Sequence, residues 1–276
     1  MIIVKIHGGL GNQMFQYAFA LQHLKRGKEV WLETSFFEQF SPHQGFELNK
    51  LFNISIPILT KENKSTLLLK KESLNYINEI KLKIEWLYVS DIFELDDCYF
   101  EGYWQANGYL KGIKRLLHNI FKLEIPPSDE YNYNLKKEIQ KNNSVSVHIR
   151  RGDYVGHCFF NTIPIEFYLK AINIIQESVP NPVFYIFCDN IKWAEEAFPS
   201  NNNKFIFVSW NTKENSYKDM QLMSLCKHNI IANSTFSWWG AYLNKNSKKI
   251  VIAPHNWTKT ERMTVPNIAL PTWITV

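Results

Sequence analysis

From Ser144 to Ile149 polar and apolar residues alternate: Val145, Val147 and Ile149 point one way, and Ser144, Ser146 and His148 the other, which predicts a strand. Downstream, stretches at 164–178, 192–197, 219–227 and 235–244 read as helices. Buried-type runs at 183–187, 204–208, 229–232 and 249–253 read as strands. Strand and helix therefore alternate from 144 to 253, the pattern of a parallel sheet with helices on both faces. Upstream, a strand at 2–6, a glycine turn, an amphipathic helix through 14–24 that ends near Gly27, and a strand at 29–33 make a βαβ opening. Residues 35–94 are less regular and suggest loops and helices built on the first domain. A buried strand leading into a loop at 99–105 and a helix at 111–121 follow. Pro126 and Pro127 then stop the helix and stiffen the chain, and a helix at 131–141 leads into the alternating strand. The expected division is residues 1–128 and 129–276.

Composition narrows the class. The 276 residues fit one large domain or two small ones, and 45% hydrophobic with 15% aromatic content supports a sizeable core. Lys+Arg 31 against Asp+Glu 26 gives a formal charge of +5, without a basic run dense enough for a nucleic-acid partner. The four cysteines, at 98, 158, 188 and 226, form no C-x-x-C pair, which argues for reduced thiols and against zinc. The amino terminus begins as a strand and lacks a signal peptide's apolar region, and no apolar run is long enough to cross a bilayer. A cytoplasmic protein is expected.

The alternating strand runs out into Arg150, Arg151, Gly152 and Asp153. Ligands of α/β folds bind beyond the carboxyl ends of the strands. Two guanidiniums there suit a forked dianion such as a diphosphate, and a glycine lets backbone approach it. In the amino-terminal half, Gly8, Gly9 and Gly11 lie between a strand and a helix, where backbone amides can meet an anion or a sugar. Glu33, at the end of the next strand, resembles the acid that holds a nucleotide ribose, which opens an alternative reading as an NAD(P)-dependent oxidoreductase. Met14 at the third glycine position counts against it. A third segment, Asn233 to Ser237, looks like an N-cap cluster whose hydroxyls and amides suit a phosphate. Trp238 and Trp239 either stack on a sugar or fill the core. Arg151, Gly152 and Asp153 also spell a cell-adhesion tripeptide, so a non-catalytic carbohydrate- or cell-binding module is a further alternative. No D-x-D motif stands near these segments and there is no P-loop, so a diphosphate would be handled by fixed cations and no metal is expected.

Four segments together resemble the bacterial α-1,2-fucosyltransferases of glycosyltransferase family 11: His7 to Ala18, Gly102 to Gln105, His148 to Tyr154, and Asn233 to Gly240. The match covers nearly the whole chain. One departure is Cys188-Asp189-Asn190, where the family often carries Ser-Asp-Asp. The resemblance implies a GT-B-like α/β fold, two Rossmann-type domains facing across a cleft, with the donor bound mainly by the second. It implies an inverting transfer of fucose from GDP-β-L-fucose to the 2-hydroxyl of a terminal β-galactoside, on a glycan such as an O-antigen, without cofactor or metal. Peripheral contact with the inner membrane would come through a lipid-linked acceptor. Under this reading His148, Arg150, Arg151, Asp219, Ser234, Thr235 and Phe236 bind the donor, with His148 and Asp219 near the guanosine. Arg150 stabilises the leaving β-phosphate, while Arg151 either shares that task or braces the loop. Asp153 is the first candidate for the base, with Glu166, Asp189 and His7 as alternatives. His7, Gly9, Gly11, Asn12 and Gln13 meet the fucose or the acceptor.

Overall fold

The computed structural model describes residues 1–39, 44–60, 74–152, 154–158, 160–198, 204–259 and 268–276. The chain divides into two units, Met1–Lys122 and Leu123–Val276.

The first unit opens with β1 (Ile2–Lys5), α1 (Leu10–Lys25) and β2 (Val30–Glu33). Short helices α2 (Phe36–Gln39) and α3 (Leu48–Leu51), strands β3 (Asn75–Asn78) and β4 (Cys98–Glu101), and α4 (Lys114–Ile120) complete it. Its sheet runs β2-β1-β4-β3 with every pairing parallel. The region that reads as irregular thus supplies an edge strand. Two apolar residues among Asn75 to Asn78 are too few to show a period. Helix α1 starts at Leu10, earlier than the apolar pattern suggests. Gly8 takes a left-handed φ of 78° and extended Gly9 forms the N-cap, so the turn delivers the chain directly into the helix. Phe15, Phe19, Phe100, Trp104 and Tyr109 are fully buried in this unit, each burial contributing roughly 1.5–3 kcal/mol.

The second unit alternates as far as β9 and then adds an edge strand, β10, that the sequence did not lead one to expect: α5 (Glu130–Lys141), β5 (Asn143–Ile149), α6 (Ile165–Ser178), β6 (Pro182–Cys188), α7 (Ile191–Ala197), β7 (Lys204–Val208), α8 (Tyr217–Leu225), β8 (His228–Ile230), α9 (Thr235–Leu243), β9 (Val251–Ala253) and β10 (Ile274–Thr275). The parallel sheet has the order β10-β9-β8-β5-β6-β7. Val145, Val147 and Ile149 of β5 pack with α6 and α7, while Tyr185 and Phe187 of β6 pack with α5 and α8 on the opposite face. From β5 the chain builds outward through β6 and β7, then returns to lay β8 on the other side of β5. That reversal opens a crevice between the carboxyl ends of β5 and β8, where open α/β sheets bind ligands.

Candidate active site

Beyond β5 the two arginines find different partners. The Arg151 guanidinium lies 4.1 Å from the centre of the Trp193 ring on α7. That of Arg150 lies 5.8 Å from the Tyr154 ring, with its Nε 3.4 Å from Asp189 Oδ2. The carboxylate at the end of β6 therefore organises the loop. Asp189 Oδ1 accepts the Arg151 amide at 2.8 Å, and Oδ2 accepts the Gly152 amide at 3.0 Å. A Cβ on Gly152 would sit 3.0 Å from Asp189 Oδ2, so the glycine lets the backbone reach its brace. The loop has a brace of the kind considered for Arg151, with the ion pair on Arg150 and Arg151 held through its amide. Asn190 accepts the Trp193 amide at 3.2 Å and caps α7, so each residue of the Cys188-Asp189-Asn190 departure has a local task.

The loop after β8 closes the other side of the crevice. Ser234 is the N-cap of α9, its Oγ accepting the Phe236 amide at 3.3 Å. Asn233 donates to the carbonyls of Asn161 and Trp257, each at 2.8 Å. The Tyr154 hydroxyl reaches the Asn233 carbonyl at 3.4 Å and joins the two loops. His148 points into this corner, its ring centre 5.9 Å from that of Phe236. Its Nδ1 is buried and meets no hydrogen-bond partner among the described residues. Burial, helped by the Arg150 charge, lowers its pKa to about 3, so the ring is neutral near pH 7. A buried unpaired nitrogen costs about 1–3 kcal/mol, and a ligand atom would recover that cost. Thr235 follows Ser234 in the first turn of α9, where backbone amides favour an anion.

Asp219 lies in the first turn of α8, which starts at the same carboxyl edge, but it does not cap the helix. Ser216 holds that position, and Asp219 Oδ1 accepts from Asn211 Nδ2 at 2.7 Å. Asn211 exchanges hydrogen bonds with Asn132, and Asn132 bonds Asp129. Burial raises the Asp219 carboxyl to about 7, against a smaller lowering by Asn211. Asp153 lies outside the described residues. Glu166 is exposed on α6. Trp238 and Trp239 are fully buried, and the Trp238 indole donates to the Ile268 carbonyl at 2.6 Å, so both are core and neither offers a face to a sugar.

In the first unit the glycine turn is held by amide side chains. Gln13, fully buried, donates to the carbonyls of Gly8 at 2.9 Å and Gly45 at 2.8 Å, and accepts the Glu47 amide at 2.9 Å. Its hydrogen-bonding capacity is used inside the unit, so Gln13 is scaffold and not the ligand contact expected of it. Gln16 does similar work between the His7 amide and the Gly102 carbonyl. Gly11 is buried in α1, Gly9 half-buried, and Asn12 Oδ1 accepts from Gln105 at 2.9 Å. His7 packs 4.6 Å from the Tyr103 ring with Nε2 buried and, among the described residues, unpaired. Burial and Lys5 lower its pKa to about 4. Glu79, which the sequence did not single out, is buried and accepts the amides of Tyr103 and Trp104, fixing the segment after β4. The signal available was Gly102, where a Cβ would come within 2.5 Å of Glu79 Cβ. Glu33 is occupied by the Ser35 amide at 2.8 Å and the Tyr99 hydroxyl at 3.1 Å, which leaves the ribose-holding reading without its acid.

The family model for glycosyl transferase family 11 matches residues 1–276. The chain belongs to glycosyltransferase family 11. An O-antigen biosynthesis glycosyltransferase, WbnK, of Escherichia coli is 35% identical, covering 91% of this chain and 93% of its own. An alpha-1,2-colitosyltransferase of Escherichia coli is 32% identical, covering 95% of this chain and 94% of its own. Among solved structures, the NodZ alpha-1,6-fucosyltransferase soaked with GDP-fucose superposes with a TM-score of 0.52 at 15% identity, over 88% of this chain and 91% of that one. That likeness concerns the fold, which is α/β with parallel sheets and of the GT-B type. Family membership makes the protein a glycosyltransferase and sets aside the oxidoreductase and binding-module readings. No helix among the described residues is long and apolar enough to cross a membrane.

Proposed function

We propose that this family 11 glycosyltransferase moves L-fucose from GDP-β-L-fucose to the 2-hydroxyl of a terminal β-galactoside, with inversion to an α-fucoside. The observation that carries this reading is that Arg150 lies beside Tyr154, whose hydroxyl reaches the carbonyl of Asn233 just before the N-terminal turn of α9, at the sheet reversal. As the bond from the fucose anomeric carbon to the β-phosphate oxygen breaks, the acceptor 2-oxygen bonds to the opposite face of that carbon and gives its proton to the base, Asp153, while negative charge gathers on GDP. Arg150 and the Ser234–Thr235 turn oppose that charge most when it is largest, which lowers the barrier. Arg151, held against Trp193, keeps the loop in shape. Neutral His148 offers Nδ1 to the nucleotide, Phe236 packs beside it, and the Asp219 carboxylate accepts the guanine N1–H and N2–H. His7, Gly9 and Asn12 supply acceptor contacts from the first unit. The donor charge is met by fixed cations, and the reaction runs without a metal or other cofactor. The natural acceptor is an O-antigen-type oligosaccharide made in the cytoplasm, in keeping with the E. coli relatives.

The colitosyltransferase relative favours a second donor, GDP-colitose, whose sugar is fucose without the 3-hydroxyl. Release of GDP from each sugar nucleotide, with and without lactose and in EDTA, tests the proposal. Lactose-dependent release from GDP-fucose with a new 2-linked fucoside is expected, and Arg150→Lys should slow it by about 100-fold or more. Turnover of GDP-colitose alone would replace the donor. Turnover lost in EDTA and restored by a divalent ion would overturn the metal-free mechanism.

A further inference from the structure

The loop from Ile80 to Tyr88 in the first unit carries an apolar surface that the core does not use. Ile80 is 56% exposed, Leu82 54%, Leu87 46% and Tyr88 46%. Lys81 and Lys83 alternate with the apolar residues and are themselves exposed. The loop has a defined shape. Lys83 and Trp86 take left-handed φ values of 57° and 61°, the Lys83 amide bonds the Ile80 carbonyl at 3.0 Å, and the Trp86 indole donates to Gln105 at 2.8 Å. Holding two non-glycine residues in that region costs energy, and here it presents apolar side chains to solvent. Tyr88 packs on Gly108, where a Cβ would come within 2.4 Å of its ring, and lies 5.3 Å from the Tyr109 ring. The chain runs from there through Lys111 into α4, where Lys114, Arg115 and Leu116 are exposed. Segments 80–88 and 111–116 together carry five cations and a single carboxylate, Glu85.

We propose that this surface docks the protein onto an anionic lipid bilayer. Ile80, Leu82 and Leu87 enter the boundary between headgroups and acyl chains, while the lysine stems lie along them and the ammonium groups meet lipid phosphates. Charge decides between a bilayer and a second copy of the chain. Two copies meeting through this face would oppose five cations to five, whereas an anionic bilayer complements them. The proposal is independent of the donor and acceptor, because docking is read without turnover.

The test is co-sedimentation of the full chain with phosphatidylethanolamine–phosphatidylglycerol vesicles and with phosphatidylcholine vesicles, at about 0.1 M salt. Partition into the anionic vesicles is expected to exceed that into the neutral ones by about tenfold or more. The pair Ile80→Ser with Leu82→Ser, and separately Lys81→Glu with Lys83→Glu, should each lower it by a similar factor while transfer to a soluble acceptor is unchanged. Equal partition of all three proteins would overturn the proposal. So would absence of vesicle binding together with a dimer, seen by light scattering, that the serine pair dissolves.

Discussion

Among the described residues the Asp219 carboxyl accepts one hydrogen bond, from Asn211, in surroundings that raise it to about 7. To accept two N–H groups from guanine it must be ionised, so donor binding has to expel its proton. GDP-fucose affinity should therefore fall by about tenfold between pH 8 and pH 6, one proton being gained per site. The sugar nucleotide is the right probe because its diphosphate is esterified at both ends and keeps its charge over this range. Neutral His148, with its pKa near 3, does not titrate there. Calorimetry without acceptor should show the slope in the parent, and weaker binding without the slope in Asp219→Asn. A flat parent profile would remove Asp219 from the guanine contact. At this scale the sequence was legible where chemistry is local. Arg150, Ser234 and His148 stand at strand and helix ends that the alternation pattern located. Gln13 was misread because an amide beside a glycine turn looks the same in sequence whether its partners are ligand or backbone. Only the fold brings Gly45 and Glu47 to it.

Helix α9 shows how one element serves stability and binding together. Ser234 caps it through the Phe236 amide, and the same turn is assigned to the donor phosphates. Substitution separates the two. Ser234→Ala removes the cap and should cost about 1 kcal/mol of stability as well as weakening GDP-fucose binding. Ser234→Asp keeps a good cap, so stability should return, but its charge opposes the diphosphate and binding should fall further. Chemical denaturation and donor titration of both variants check this. If Ser234→Asp bound the donor as well as the parent, the phosphates would lie elsewhere. Most of the second unit was readable because β5, β6, β8 and β9 are buried along nearly their whole length and each helix follows a turn signal, whereas exposed β10 escaped notice. β8 ends at Ile230, short of its apolar run: the Ile231 amide still bonds the Ile252 carbonyl, and buried Ala232 then carries the chain to the cap. In the first unit β3 escaped notice because a partly exposed edge strand needs few apolar residues, and α1 began early because backbone conformation at Gly8 and Gly9, not hydrophobic period, sets its start.

Among the described residues, buried and half-buried titratable groups of opposite kind balance one another. Glu47, Glu79 and Asp219 are each raised to about 7, in every case chiefly by burial. His7 is lowered to about 4, and His23 and His148 to about 3, again chiefly by burial. Between about pH 5 and 6 an unfolded carboxyl has lost its proton while the folded one keeps it. Folding then takes up a proton, and stability declines as pH rises through this window. Each histidine does the reverse: unfolded it is charged, folded it is neutral, and its contribution is complete above 6.5 and lost as pH falls toward its folded value. Three of each leave these slopes opposed, with His228, lowered by burial, adding to the histidine side. Removing one carboxyl exposes the balance. Glu79→Gln keeps an acceptor for the Tyr103 and Trp104 amides but takes up no proton. Its unfolding free energy should therefore rise with pH relative to the parent by about 1.4 kcal/mol per pH unit over this interval. Urea denaturation of both proteins at several pH values measures the difference in slope. Parallel slopes would mean that Glu79 is already ionised at pH 5, and that the amides of Tyr103 and Trp104 stabilise its charge more than burial opposes it.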